Sequence, residues 1–354
     1  MKVMVVHPGH SHSTSDVYDG LCAGLRLIGV EVLPFRWDRP LRMQGHLLMG
    51  AVEAGYIPEQ EIEYYRSAGA WLAAADAIGV ALDNAVDAVI VVNGILFPPS
   101  RASLMCKLGI PVACFGTEAP YFLPLETDIR PSYTHWFTNE RRCVEAFGKN
   151  SFYLSHAYNP ELHVPGPEDP DKAADVVFVG GGFPERKQVL AGVDWSGISL
   201  ATRGTLWHLD LDAERGASDL GRSARYSEGV VSNTETAAWH RSSTVALNLH
   251  RRMMQVESGN EIPAGAAESL GPRAYEIPAV GGFMLCDDER PELFDVYGES
   301  AATFRAWDSA DLDYQIHYWL RHPDARERIR QAQAEAVAPH HWGNRAKYVM
   351  EVLL

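Results

Sequence analysis

The hydrophobic positions of the first half fall into short, uniformly apolar runs separated by amphipathic stretches. KVMVVH (2–7), DAVIVVNG (87–94) and PVACFGT (111–117) have no alternation of apolar and polar residues, which is typical of strands buried on both faces of a parallel sheet. The pattern therefore predicts an α/β fold. Two more strands and three helices are predicted at EVLPFR (31–36), THWFTN (134–139), 16–28, about 58–83 and near 100–108.

The pattern starts again after PGPEDPDKAA (165–174), a Pro- and Asp-rich stretch typical of a linker. We predict two Rossmann-like domains facing across a cleft, residues 1–165 and 171–339. Ligands bind such sheets beyond the carboxyl ends of the strands, so the loops there are the candidate site. The predicted strands of the second domain are DVVFVGGG (175–182), GISLATRG (197–204), STVALNLHR (243–251), GFMLCDD (282–288) and AATFRA (301–306), with helices from about 309.

Length, charge and cysteine content narrow the class of protein. A chain of 354 residues fits about two domains. Its net charge of -15 argues against a protein that coats nucleic acid. Five scattered cysteines without C-x-x-C do not predict a disulfide framework or a zinc site, and they fit a reducing cytoplasm. No apolar run approaches the ~18 residues of a membrane helix, and the first residues predict a strand, not a signal peptide.

VFVGGGFPER (177–186) is a glycine-rich turn between a predicted strand and helix. The backbone amides of Gly180, Gly181 and Gly182, with Arg186 on the first helical turn, are suited to phosphate. Glu185 stands where the dinucleotide fingerprint has its third glycine, which lowers the prospect of a nicotinamide-linked oxidoreductase. The alternative is a tight turn that needs glycine only for its backbone.

LNLHRR (247–252) ends a predicted strand with polar side chains. Asn248 and His250 share one face of the strand, and Arg251 lies on the other. These residues are candidates for donor binding, although polar strand ends are also common in sheets without a ligand there.

PRAYE (272–276) places Arg273 and Glu276 three residues apart on a predicted helix, shortly before Gly281 and Gly282. An exposed ion pair there would contribute only a few tenths of a kcal/mol. The functional interpretation assigns Arg273 to phosphate and Glu276 to ribose hydroxyls, with the glycine turn letting the backbone approach the ligand.

The loops of the first half carry the candidates for catalysis and acceptor binding. His10 and His12 lie in HPGHSHS, which we interpret as a polar acceptor loop with a candidate base, because a metal site lacks the expected carboxylate. Asp16, a possible helix cap, and Glu118, which follows a buried strand, are further catalytic candidates. Tyr121 and the arginine–tryptophan loop FRWDRPLR are candidates for the acceptor site, and the loop residues concerned are Arg36, Trp37, Arg39 and Arg42. Such a loop is more often plain surface, but it could also contact phosphates or stack a base.

Two D-x-D strings have the form of a metal–nucleotide motif. They are Asp210/Asp212 and Asp311/Asp313, and both lie outside the predicted strand-end loops. We interpret them as solvated or capping carboxylates.

The sequence resembles the two-Rossmann (GT-B fold) glycosyltransferases known as the spore-maturation-type or "glycosyl transferases group 1" family, in a branch common in phages and actinobacteria. The motifs that carry the resemblance are, in order along the chain, GTEAPY, FTNE, YLSHAYNPELHVP, VVFVGGGFPER, LNLHR, PRAYEIPAVGGF and YWLRHPDARERI.

The resemblance implies a nucleotide-sugar donor, with UDP favoured and no required metal, bound by the C-terminal domain. It assigns Glu276 to the donor ribose and Arg273 to the diphosphate, and it implies a final helix (340–354) that returns to the N-terminal domain. Glu268 stands eight residues before Glu276, which matches the E-x(7)-E spacing of retaining relatives without their Gly-Phe-Gly context. The stereochemistry therefore stays open.

The expected function is sugar transfer to an acceptor hydroxyl. The acceptor stays open between a hydroxymethylated DNA base, a protein side chain and a small glycan. The alternative to an enzyme is a non-catalytic module that binds a sugar nucleotide or a partner.

Overall fold

The computed structural model describes residues 1–9, 14–207, 224–251 and 267–353. They form two compact units, Met1–Ser155 with Trp342–Leu354, and His156–His341. Each unit contains a six-stranded sheet whose neighbouring strands are all parallel, with helices in the connections. The predicted α/β class with two Rossmann-like sheets is therefore confirmed. Within these described ranges, no helix is both long enough and apolar enough to cross a bilayer.

The first sheet has the order β2-β1-β3-β4-β5-β6. Its strands are β1 (Lys2–Val6), β2 (Glu31–Phe35), β3 (Ala88–Val92), β4 (Val112–Gly116), β5 (His135–Thr138) and β6 (Ser151–Tyr153). The helices that precede, connect or follow them are α1 (Thr14–Leu27), α2 (Asp38–Glu53), α3 (Ile62–Ala73), α4 (Ala77–Asp83), α5 (Pro99–Lys107) and α6 (Leu123–Ile129).

Helix α2 is the main difference from the predicted order of elements. Only Asp38 and Leu48 of its sixteen residues are buried, so this helix, which is not among the predicted elements, adds little to the core. The single helix predicted over about 58–83 is a short 3₁₀ turn followed by α3 and α4, which are interrupted between Ala73 and Ala77.

The second sheet has the order β12-β11-β10-β7-β8-β9. Its strands are β7 (Ala174–Val179), β8 (Leu200–Gly204), β9 (Ala224–Glu228), β10 (Ser243–Asn248), β11 (Met284–Asp287) and β12 (Thr303–Phe304). The helices of this unit are α7 (Pro184–Ala191), α8 (Asn233–Ser242), α9 (Arg273–Ala279), α10 (Glu292–Tyr297), α11 (Ser309–Arg321) and α12 (Pro323–Val337). Because the strands are parallel, their carboxyl ends share one edge of the sheet, and polar loops follow β7, β10 and β11 there.

The last helix, α13 (Trp342–Leu353), belongs to the first unit and packs on α1. A side chain on Gly20 would place a Cβ 2.2 Å from Cδ1 of Trp342, and one on Gly24 would lie 2.4 Å from the Trp342 carbonyl oxygen. The two glycines therefore permit the close approach of the helices. The predicted return of the C-terminal helix to the N-terminal domain is confirmed.

Candidate functional site

The glycine-rich turn after β7 uses most of its amides inside the protein. Gly180 donates its N–H to the Arg203 carbonyl and Gly182 donates to the Thr205 carbonyl, each at 2.8 Å. In the described part of the chain, Gly181 alone of the three has an amide without a recorded partner. The prediction that all three amides contact phosphate is corrected to this single amide, because the other two already hold the turn against β8.

Packing also explains why this turn needs glycine. A Cβ on Gly180 would lie 2.8 Å from the Phe178 ring, and one on Gly182 would lie 2.8 Å from the Trp207 ring. The Trp207 indole N–H donates to the Gly180 carbonyl at 2.9 Å. The structural explanation for the turn is therefore supported independently of any ligand.

Arg186 of α7 is buried and folds back over the turn. It donates to the carbonyl oxygens of Gly181 at 3.1 Å and Leu249 at 2.7 Å. Burial, together with the positive charges of Arg273 and Arg251, lowers the pKa of Arg186 to about 10. Three guanidinium groups therefore lie within electrostatic range of one another, and we call Arg186, Arg251 and Arg273 the arginine cluster.

The arginine cluster is partly unsatisfied. The Nε atoms of Arg186 and Arg273 are buried, and no hydrogen-bond partner is recorded for either in the described ranges. Arg186 and Arg251 both lie over the Phe183 ring, at 5.2 Å and 5.0 Å from its centroid. Like charges gathered beside unpaired donors favour binding of an anion.

Helix α9 buries the carboxylate of Glu276. The residue is 5% exposed, and no hydrogen bond to its carboxylate is recorded among the described residues. Burial raises the pKa of Glu276, and the positive charge of Arg273 partly offsets this effect. Among the described ion pairs none joins Arg273 to Glu276 within 4.0 Å; Nε2 of His163 is the nearest recorded partner at that distance. The interpretation as an exposed surface ion pair is therefore wrong.

Two buried histidines beside α9 were not predicted as site residues. Nε2 of His163 and both ring nitrogens of His240 have no recorded hydrogen-bond partner in the described chain. Burial and the charge of Arg273 lower the pKa of His163 to about 4, and they hold the pKa of His240 well below its usual value. The only signal in the sequence was the place of His163 in the motif YLSHAYNPELHVP.

The Gly281-Gly282 turn ends α9. The amides of Gly281 and Gly282 donate to the carbonyls of Pro278 and Ile277, each at 3.0 Å, and Gly281 has a φ of +82°. This is the Schellman ending of a helix. A Cβ on Gly282 would lie 2.8 Å from the His240 carbonyl oxygen. The helix end and its packing thus account for both glycines, and their close approach to a ligand stays a prediction.

The ends of β10 and β11 hold a histidine–aspartate pair. Nδ1 of His250 lies 2.7 Å from Oδ1 of Asp287, and the His250 backbone N–H donates to Oδ2 at 2.6 Å. Burial would raise the pKa of Asp287, but the charge and hydrogen bonds of His250 outweigh it and lower that pKa. Asn248 donates to the sulfur of Cys286 at 3.3 Å. Asp287 was not predicted as a site residue.

In the arginine–tryptophan loop of the first unit, Trp37, Arg36 and Arg42 have partners within the unit. Trp37 is fully buried, and its indole N–H donates to the His7 carbonyl. Arg36 lies 3.0 Å and Arg42 lies 3.7 Å from the carboxylate of Asp38. Trp37 cannot stack a base from this position, so its assignment to acceptor binding is wrong. Arg39 is exposed in the first turns of α2.

Glu118 follows β4 and lies beside a buried carboxyl group. Its backbone N–H donates to Oε1 of Glu126 at 3.1 Å, and Nδ2 of Asn93 lies 3.4 Å from its own Oε1. Burial raises the pKa of Glu126 to about 8, and the negative charge of Glu118 contributes to the rise. The role of Glu118 as a base stays a prediction, as do those of the partly buried Tyr121 and Asp16.

His10 and His12, and the string Asp210/Asp212, lie outside the described residues. Asp311 accepts the Arg305 amide at 2.6 Å and Asp313 accepts the Asp194 amide at 2.9 Å, so the second string makes hydrogen bonds to loop amides, while Asp308 caps its helix. In the part of the chain that the structure describes, no three His, Cys, Asp or Glu residues form a group suited to a metal ion. Independence from metal stays a prediction.

Residues 184–351 match the model of a family described as "Glycosyl transferase-like". No curated protein sequence matches the chain at a significant level.

The whole chain is similar in fold to solved structures of low sequence identity. A structure from E. coli described as trehalose-6-phosphate bound with UDP-2-fluoro glucose has a TM-score of 0.64 at 12% identity and covers 99% of both chains. Anabaena Alr3699/HepE in complex with UDP and glucose has a TM-score of 0.63 at 11% identity, covering 100% of this chain and 99% of the other. UDP-GlcNAc 2-epimerase from Neisseria meningitidis, bound to UDP-GlcNAc, has a TM-score of 0.54 at 14% identity with the same coverage.

At such low sequence identity, the similarity to these structures establishes the fold and no specific activity. The phage and actinobacterial branch stays a prediction. The chain has the two-domain GT-B fold of these solved structures, and its residues 184–351 match the glycosyl transferase-like model, as expected from the resemblance to the group 1 glycosyltransferases.

Proposed function

We propose that this protein is a glycosyltransferase that takes its sugar from a UDP-sugar bound by the second unit and transfers it to an acceptor hydroxyl. The observation that carries the proposal is the buried carboxylate of Glu276, which has no recorded hydrogen bond among the described residues and lies beside Arg273. A carboxylate in this state is suited to accept hydrogen bonds from two ribose hydroxyls. The structures of similar fold from E. coli and Anabaena are bound with UDP-2-fluoro glucose and with UDP and glucose, which supports a uridine nucleotide here.

The arginine cluster would bind the diphosphate. Its positive charge stabilises the leaving group as negative charge develops on it, and the free amide of Gly181 adds one donor. We propose that the reaction needs no metal, because Arg186, Arg251 and Arg273 supply the cationic charge that a metal would otherwise bring.

Glu118 is the proposed acceptor base if the enzyme inverts. The acceptor classes remain a modified DNA base, a protein side chain and a small glycan. Because Trp37 is buried, it cannot stack a DNA base. A DNA acceptor is then supported only by Arg36, Arg39 and Arg42. An acceptor screen with radiolabelled UDP-sugars distinguishes the three, and we propose that the enzyme acts in the cytoplasm.

The test is turnover of UDP-, GDP- and dTDP-sugars by wild type and by Glu276→Ala. We expect a preference for UDP-sugars and a rise in the donor KM of about tenfold or more, since a hydrogen bond to a charged group contributes roughly 1.5–3 kcal/mol. Glu299→Ala, at an exposed position of the second unit, is the control. An unchanged donor KM in Glu276→Ala contradicts the ribose assignment.

Product analysis separates transfer from other UDP-sugar chemistry. A transferase yields free UDP and a glycosylated acceptor in equal amounts, whereas an epimerase, as named for the Neisseria structure, yields an altered sugar nucleotide. Binding of UDP-sugars without any product would favour the non-catalytic module.

A further inference from the structure

A buried histidine and a buried aspartate, 37 residues apart in sequence, meet at the carboxyl ends of β10 and β11. Asp287 holds His250 at two points, because its carboxylate contacts both the ring Nδ1 and the backbone N–H. The ring therefore has a fixed orientation, with Nδ1 directed at the carboxylate and Nε2 on the opposite edge.

Nε2 of His250 is buried and has no hydrogen-bond partner among the described residues. Such an atom costs about 1–3 kcal/mol unless a ligand supplies the missing partner. Its surroundings are cationic, since Arg186 donates to the carbonyl of Leu249 and Arg251 is the next residue along the chain. An anionic ligand fits these surroundings.

We propose that His250 donates a charged hydrogen bond from Nε2 to the diphosphate of the bound UDP-sugar, and that Asp287 is a positioning residue that stabilises the imidazolium. The inference rests on the proposed function and adds to it a donor-contacting residue and the group that positions it. When the bond between the sugar C1 and the diphosphate oxygen breaks, its electron pair stays on that oxygen. The acceptor hydroxyl oxygen forms the new bond to C1 and releases its proton to the base or to water. The hydrogen bond that Nε2–H donates to the diphosphate strengthens as negative charge grows there, and no proton transfer from His250 is needed.

Opposing charges surround the imidazole. The carboxylate of Asp287 contacts Nδ1, and the positively charged Arg186 donates to the carbonyl of Leu249, the residue before His250. The titratable and charged groups of the neighbouring segments are Arg186, Arg251, Arg273, Cys286, Asp287, Asp288 and Arg290.

The experiment measures the binding of UDP and of uridine by calorimetry, with no acceptor present. His250→Asn keeps a side-chain donor that can contact Asp287 but lacks Nε2. We expect it to raise the Kd for UDP by about tenfold or more and to leave the Kd for uridine, which has no diphosphate, unchanged. Asp287→Asn should raise the Kd for UDP in the same selective way, whereas the exposed neighbour Asp288→Asn should leave both Kd values unchanged.

The outcomes separate the two proposals. If wild type does not bind UDP, the proposed function fails and this inference fails with it. If wild type binds UDP no more tightly than uridine, the role of His250 is overturned, whether or not the variants fold. Equal UDP affinity in wild type and His250→Asn, or an equal loss of UDP and uridine affinity in His250→Asn, would overturn it as well.

Discussion

Two arginine-containing stretches that look alike in the sequence have opposite surroundings in the structure. In the first unit, Arg36 and Arg42 find their carboxylate in Asp38, a member of the same stretch. In the second unit, Arg273 and Glu276 share a helix but form no ion pair within 4.0 Å, among the described contacts, and both are near buried groups that lack partners. Arginines that are neutralised within their own segment stabilise a fold, whereas arginines and carboxylates left apart in a buried site are suited to bind a ligand.

The first test of this difference removes Trp37 from the arginine–tryptophan loop, whose arginines Arg36 and Arg42 pair with Asp38. Trp37→Ala should lower the free energy of unfolding by about 3–5 kcal/mol, because a fully buried indole and its hydrogen bond to His7 are lost. Urea denaturation measures the change, and Trp37→Phe should lose less. Trp71→Ala is the control, since Trp71 is 47% exposed. Wild-type stability in Trp37→Ala would mean that Trp37 is a surface residue available to a ligand.

The second test concerns the two buried carboxyl groups. Glu126 has no recorded cation beside it in the described chain and a pKa of about 8, whereas Glu276 lies near Arg273. We therefore expect Glu126 to hold a proton at neutral pH, and Glu276 to hold a ligand. The folded protein keeps the Glu126 proton that the unfolded chain loses above its pKa of about 4.5, so the free energy of unfolding should fall as pH rises toward 8. The slope is at most about 1.4 kcal/mol per pH unit.

Glu126→Gln should remove this slope, because the amide cannot ionise yet can still accept the Glu118 N–H. Unfolding by urea at pH 5, 6.5 and 8 measures it, with the exposed Glu145→Gln as control. A wild-type slope in Glu126→Gln would show that another group titrates.

The sequence predicts best what depends on local pattern. The apolar runs identified β1, β3, β4, β7 and β10, since strands buried on both faces have no polar position to obscure them. Short β6 is only half-buried and α2 is mostly exposed, so neither carries such a pattern. Arg273 and Glu276 were found because their motif is contiguous.

The rest of the candidate site could not be predicted because distant segments create it. His250 meets Asp287, and His163 meets Glu276, only through the packing of separate elements. Trp37 was misassigned for a related reason, because a tryptophan among arginines has the same sequence pattern whether its ring faces solvent or the core.

The smallest expected effect separates two arginines of the arginine–tryptophan loop. Arg36 pairs with Asp38, and the Arg36 hydrogen bond is the main cause that lowers the Asp38 pKa against the opposing effect of burial. Arg36→Gln should cost about 0.2–1 kcal/mol at neutral pH, a modest value because the Arg36 side chain is 52% exposed and solvent screens the pair. Since the pair lowers the pKa of a carboxyl group, its contribution is present above the unfolded pKa near 3.8 and is lost as pH falls below it. Arg39→Gln, at an exposed position one turn away, should change nothing at either pH. Equal losses in the two variants, measured by thermal unfolding at pH 7 and pH 3, would show that net charge and not the Asp38 pair sets the stability of this stretch.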